Sequence, residues 1–122
     1  MRTPSGALTL LFTDIEGSTR LARTLGDRFE GVLEAHNRIL RDSFSAHGGT
    51  EVERAGDGFF FVFDRARDAV AAAVEAQRAL AVESWPENAA VKVRMGIHTG
   101  DVNLADTHRG VAVHRAARIS AA

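Results

Sequence analysis

Thr50-Glu51-Val52-Glu53-Arg54-Ala55-Gly56-Asp57-Gly58-Phe59-Phe60-Phe61-Val62-Phe63-Asp64 is the stretch that decides the fold. Thr50 to Arg54 and Phe59 to Asp64 read as two strands, and the tight Gly-Asp-Gly between them is a strong hairpin signal. Upstream, Leu8-Thr9-Leu10-Leu11-Phe12-Thr13 is short, apolar and bounded by Gly6 and Gly17, as a buried strand would be. A helix can begin at Ser18 or Thr19, and Gly26-Asp27 marks a break followed by a new N-cap. From there Phe29, Val32, Leu33, His36, Ile39, Leu40 and Phe44 recur at helical spacing, until Gly48-Gly49 ends the helix.

Downstream of the hairpin a second helix places Ala66, Ala69, Val70, Ala73, Val74, Gln77, Leu80 and Ala81 on one face, small enough for close packing on a sheet. Trp85 to Asn88 is a loop. Val91, Val93, Met95 and Ile97 then alternate with Lys92, Arg94, Gly96 and His98, a strand with one buried and one polar face. Gly100 to Gly110 reads as polar and irregular, a protruding hairpin, and Val111 to Ala122 as the start of a helix. The order β-α-β-β-α-β is the ferredoxin-like, split βαβ palm. The expectation is an α/β (α+β) domain over 1–122, with antiparallel pairing in its central sheet and helices packed on it. The chain stops inside its last predicted helix, which reads as truncation before closing strands. Exposed edges would then invite pairing between chains or domain swapping.

Bulk composition narrows the function. A chain of 122 residues makes at most one domain. Lys and Arg number 15 against 16 Asp and Glu, so there is no basic footprint for nucleic acid and no polybasic patch for a membrane. The absence of cysteine excludes disulfides and thiolate metal sites and suits a reducing compartment. No apolar run approaches the roughly 18 residues of a membrane span, and Met1 to Gly6 carries no signal-peptide core. The expectation is a soluble, cytoplasmic domain. His36, His47, His98, His108 and His114 show no metal-binding spacing, so a histidine zinc site is not expected. His36, on the apolar stripe, reads as a satisfied core histidine, and His98 as structural.

Two carboxylates stand out. Asp14 ends the first strand and Asp57 sits in the hairpin turn, each at the tip of a buried strand. Neighbouring strands lie about 4.8 Å apart, so two such carboxylates can share a pair of divalent cations. A metal pair of this kind clamps the attacking and leaving oxygens of an in-line displacement at phosphorus. Each residue alone also fits a plain strand-end or turn aspartate; the pairing is what favours metal.

Four blocks in order, Phe12-Thr13-Asp14-Ile15-Glu16-Gly17-Ser18-Thr19, Gly56-Asp57-Gly58-Phe59, Gly96-Ile97-His98-Thr99-Gly100 and Val113-His114-Arg115-Ala116-Ala117-Arg118, strongly resemble the catalytic domain of class III nucleotide cyclases. The resemblance implies conversion of a nucleoside triphosphate, ATP or GTP, to a 3′,5′-cyclic nucleotide and pyrophosphate with two Mg²⁺ or Mn²⁺. It also implies a head-to-tail homodimer with its sites between subunits. On this resemblance Asp14 and Asp57 match the metal ligands, joined by the Ile15 carbonyl. Gly17, Ser18 and Thr19 form the turn whose backbone N–H groups meet the phosphates, where a helix N-terminus offers free donors.

Arg118 matches the transition-state arginine that crosses the interface, a role suited to a permanently charged fork and worth about 10³ or more in related transfers. His114 stands where the family usually has a ribose-orienting Asn. Imidazole can donate to a ribose oxygen, and a benign interface role is equally open. Glu53 stands where adenylate-selective members carry Lys. A carboxylate there can accept from guanine N1–H and the exocyclic amine, or it is an ordinary strand residue. Its partner position is Thr107, and the base stays open between adenine and guanine. The family's phosphate lysine lies beyond the last residue.

The alternative from another functional class is a nucleotide-binding or dimerisation module that turns over weakly or not at all. A diguanylate cyclase shares the palm, but it would want Gly-Gly-Asp/Glu-Glu-Phe where this chain has Ala55-Gly56-Asp57-Gly58-Phe59.

Overall fold

The computed structural model describes residues 5–103. In chain order these form β1 (Ser5–Ile15), α1 (Ser18–Leu25), a 3₁₀ turn (Gly26–Arg28), α2 (Phe29–Ala46), β2 (Thr50–Ala55), β3 (Gly58–Phe63), α3 (Ala66–Val82), a second 3₁₀ turn (Pro86–Asn88) and β4 (Val93–Asn103). The strands make one antiparallel sheet ordered β2-β3-β1-β4. The helical connection from β1 to β2 steps over β3, and that from β3 to β4 steps over β1. This is the split βαβ arrangement expected from the sequence.

β1 and β3 read as nearly continuous apolar runs because side chains on both of their faces are buried. On one face Leu11, Ile15, Phe59, Phe61 and Phe63 meet Ile39, Leu40 and Phe44 of α2 and Ala69, Ala72, Ala76 and Leu80 of α3. Phe44 packs edge-on against Phe61 with centroids 4.9 Å apart. On the other face Leu8, Leu10, Phe60 and Val62 form a second buried cluster, with Phe12 and Val52 against it. Two buried threonines interrupt β1 and both are bonded. Thr9 and Thr99 share a hydroxyl hydrogen bond of 2.8 Å, and Thr13 Oγ1 accepts the Phe59 N–H at 3.1 Å.

The structure departs from the sequence expectations in four places. β4 continues through Gly100 to Asn103, paired with Ser5 to Leu8 of β1, where an irregular segment was expected. Its polar composition is no obstacle on a strand that, among the described residues, pairs with β1 alone. Residues 104–110, and the helix expected from Val111, lie outside the described residues. α3 turns its alanines to the sheet, not its valines: Val70 and Val74 are 49% and 44% exposed. The phenylalanine rings of β3 already fill much of that layer, so along Ala69, Ala72 and Ala76 the helix meets it with methyl-sized side chains. Asp27 does not cap α2; the helix is entered through the 3₁₀ turn with no side-chain cap. Finally, a bulge at Val52 breaks the simple alternation of β2, so that Glu51 pairs with Phe61 and Glu53 with Phe60.

Candidate active site

The end of the sheet where β1 exits toward α1 is also the end where β2 turns into β3. The register Thr13↔Phe59 brings Asp14 level with Gly58, and Asp57 one residue further on. Thr13 fastens this corner, since its hydroxyl takes the backbone N–H that opens β3. Gly56, at φ 61°, supplies the left-handed step the turn needs. Asp14 lies between Thr13 and Ile15, which face the helices, and so belongs to the opposite face with Phe12 and Leu10. The topology therefore places both expected metal ligands at one corner.

The two carboxylates differ in how they are satisfied. Both oxygens of Asp14 accept from Arg94, from Nε at 2.8 Å and from Nη2 at 2.9 Å. Arg94 is the direct cross-strand partner of Asp14 on β4. Hydrogen bonding to Asp14 first, then the charges of Asp14, Glu16 and Asp57, hold the Arg94 guanidinium even more firmly protonated than usual, against a small opposing effect of burial. Asp57 Oδ2, by contrast, is buried with no hydrogen-bond partner. Such an orphaned oxygen is costly unless something absent from the chain itself completes it, and a divalent cation is a fitting complement for a carboxylate.

Among the described residues no set of three or more His, Asp or Glu side chains is placed to hold a metal. A cation here would rest on the two aspartates, completed by backbone and substrate oxygens. Ile15 is buried at the end of β1 beside them.

Gly17 begins α1 at φ 64°, with no side-chain hydrogen bond to the helix N-terminus. Its own carbonyl accepts from Leu21 at 3.0 Å, and the Glu16 N–H donates to the Lys92 carbonyl at 2.7 Å. The turn is thus fixed while the donors of Ser18 and Thr19 precede the first helical bond. A cleft of about 700 Å³ beside α1 is lined by Gly17, Thr19, Arg20 and Lys92, and it includes neither Asp14 nor Asp57. The carboxylate corner is half-buried: the Asp14 side chain is 27% exposed and one Asp57 oxygen is buried.

His36 is fully buried, as expected, but it is not a fully satisfied core histidine. Nδ1 lies 2.8 Å from the Asn37 amide while Nε2 has no partner. Burial lowers its pKa below the usual 6.5; the Asn37 bond and the Asp57 charge oppose this, and Arg54 adds to it. Glu53, the base-recognition candidate, is paired by the bulge with Phe60. Thr107, His114 and Arg118 lie outside the described residues. Sequence reasoning missed Arg94. Its position on the polar side of β4 was legible, but only the β1–β4 register identifies its partner.

A four-stranded antiparallel sheet of this order, with its helices on one face, defines the ferredoxin-like palm class. Within that class, the model of the adenylate and guanylate cyclase catalytic domain matches residues 2–109, and the chain belongs to this family. An uncharacterized protein of Mycobacterium tuberculosis is 34% identical over 119 residues, covering 95% of this chain and 39% of that protein. An adenylate cyclase of Lachancea kluyveri is 30% identical over 143 residues, covering 96% of this chain and 8% of that enzyme. Among solved structures, a Trypanosoma brucei adenylate cyclase in its monomeric state superposes with a TM-score of 0.76 at 26% identity, covering 82% of this chain and 59% of that one. The guanylate cyclase domain of RhGC from Catenaria anguillulae, solved with GTP, shares the fold at a TM-score of 0.71 and 21% identity, covering 81% of this chain and 59% of that one. The chain therefore spans well under half the length of these curated relatives. No helix among the described residues is long and apolar enough to cross a membrane.

Proposed function

We propose that the chain is the core of a nucleotide cyclase that converts ATP or GTP to the 3′,5′-cyclic nucleotide and pyrophosphate, acting as a head-to-tail homodimer. The observation that carries this reading is the corner where β1 and the β2–β3 turn bring Asp14 and Asp57 together, with one Asp57 oxygen buried and unpartnered. Asp14, Asp57 and the Ile15 carbonyl would hold two Mg²⁺ or Mn²⁺, which when bound supply Lewis-acid activation of the ribose 3′-hydroxyl and neutralise triphosphate charge.

The remaining roles belong to the chain's own groups. The Gly17, Ser18 and Thr19 backbone binds phosphate oxygens at the N-terminus of α1, where unpaired donors and the helix dipole favour an anion. Arg118, reaching from the partner subunit, stabilises charge at the α-phosphate, and His114 orients the ribose by donating a hydrogen bond. Glu53 and Thr107 read the base, with adenine or guanine to be decided by assay.

The test is release of cyclic nucleotide and pyrophosphate from ATP and from GTP with Mn²⁺, with Asp57→Ala as control. Turnover that disappears in the control supports the cyclase reading and names the base. Nucleotide and metal binding without pyrophosphate release would make the chain a binding module instead.

A further inference from the structure

The Asp14 carboxylate already has a cation. Arg94 grips it in a two-pronged geometry, both prongs under 3 Å, and the same guanidinium lies within the field of Glu16 and Asp57. Such a fork matches both oxygens of a carboxylate at once. A divalent ion binds the same two oxygens, at about 2.0–2.1 Å for Mg²⁺, and the like charges of ion and guanidinium set them in competition for one carboxylate. The β1–β4 ladder fixes both backbones through the Asp14↔Arg94 register, so the exchange must come from the side chains. Arg94 can yield: its side chain is 47% exposed, against 27% for Asp14, and a long cationic side chain re-solvates at modest cost.

We propose that Arg94 is the resident counter-cation of the metal site, a positioning residue that holds Asp14 in place without metal and sets the metal affinity by having to be displaced. This rests on the reading of Asp14 and Asp57 as metal ligands. It goes beyond that reading by giving the site a built-in competitor. With Arg94 in place, its guanidinium pairs both oxygens of Asp14 and lies in the field of Glu16 and Asp57, so the corner tolerates the metal-free state. With Arg94 gone, the same groups await a cation unopposed.

The experiment is a titration of the full chain with Mn²⁺ alone, free ion read by electron paramagnetic resonance and melting temperature read with and without Mn²⁺. The variants are Arg94→Gln, Arg94→Lys, Asp14→Asn and, as a charge control, Arg67→Gln, an exposed arginine beyond the far end of β3. Exposed ion pairs are weak, so Arg94→Gln is expected to bind Mn²⁺ about two- to fivefold more tightly and to gain more melting temperature from it. Arg94→Lys, which keeps the charge but loses the fork, should fall between Gln and wild type, and Arg67→Gln should match wild type. Detectable binding in Arg94→Gln alone would also support the proposal. Equal or weaker Mn²⁺ binding in Arg94→Gln, with Asp14→Asn still losing it, overturns the competitor role and leaves the metal site standing. Wild-type binding in Asp14→Asn, or none in any variant, overturns both.

Discussion

At the residue scale, Asp57 and His36 carry stability signatures that differ from those of ordinary core residues. Asp57 places a carboxylate oxygen out of water with no donor to meet it. Removing that charge in the metal-free protein should therefore cost little and can stabilise, as expected where function, not folding, retains a group. Asp57→Asn should melt in chelator at or above the wild-type temperature while losing metal-dependent turnover; a large drop in melting temperature would assign Asp57 a structural role. His36 makes a second prediction with a definite sign. Burial, ahead of the opposing Asn37 and Asp57 effects and together with Arg54, lowers its folded pKa below 6.5. Above that pH the ring is neutral in both states and contributes nothing to pH dependence. As pH falls through it, the unfolded chain takes up a proton that the folded chain refuses, so stability declines until the lower folded pKa is reached. The slope in that window is at most about 1.4 kcal/mol per pH unit. Denaturant unfolding between pH 7.5 and 5 should display this decline, and His36→Gln should flatten it; an unchanged slope would remove His36 as its source.

At the element scale, the junction of α2 and β2 depends on one missing side chain. Gly48, at φ 82°, turns the chain after His47, and the Gly49 N–H then donates to the Phe44 carbonyl at 2.9 Å. A Cβ on Gly49 would stand 2.7 and 2.8 Å from the Phe63 ring and 2.9 Å from that same carbonyl. Phe63 is 1% exposed and cannot swing away freely. Gly49→Ala should thus destabilise by about 1–3 kcal/mol, as overpacking does; a midpoint shift well below this in urea unfolding would mean that the α2–β2 corner can relax. The Gly48-Gly49 stop was legible in the sequence, as were the hairpin, the buried first strand and the two long helices. All of these rest on local periodicity and turn chemistry. What was not legible depends on partners distant in sequence. The side of α3 that meets the sheet was decided by the bulk of Phe59, Phe61 and Phe63, not by which α3 residues are most apolar. The reach of β4 was decided by pairing with Ser5 to Leu8, which rescues Gly100 to Asn103 from irregularity. The corner holding Asp14 and Asp57 was foreseen from strand ends alone, whereas the Arg94 fork needed the register.

At the scale of the whole molecule, the proposed site is divided between subunits, and that division can be tested without a structure of the dimer. Asp14 and Asp57 sit at one corner of the sheet, and Arg118 is proposed to act on the partner's corner. A head-to-tail homodimer with two such sites places the aspartates of one chain opposite the arginine of the other, twice. Asp57→Ala and Arg118→Ala should each be inactive alone. In a mixed dimer both lesions fall in the same site and the second site is intact. Random assortment makes about half the dimers mixed, with one working site in two, so mixing the variants in equal amounts should restore about a quarter of wild-type turnover. The recovery should grow with total protein concentration, because assembly is bimolecular. Two folded variants that stay inactive at every mixing ratio would mean that each site is built within a single chain, with Arg118 serving the aspartates of its own subunit.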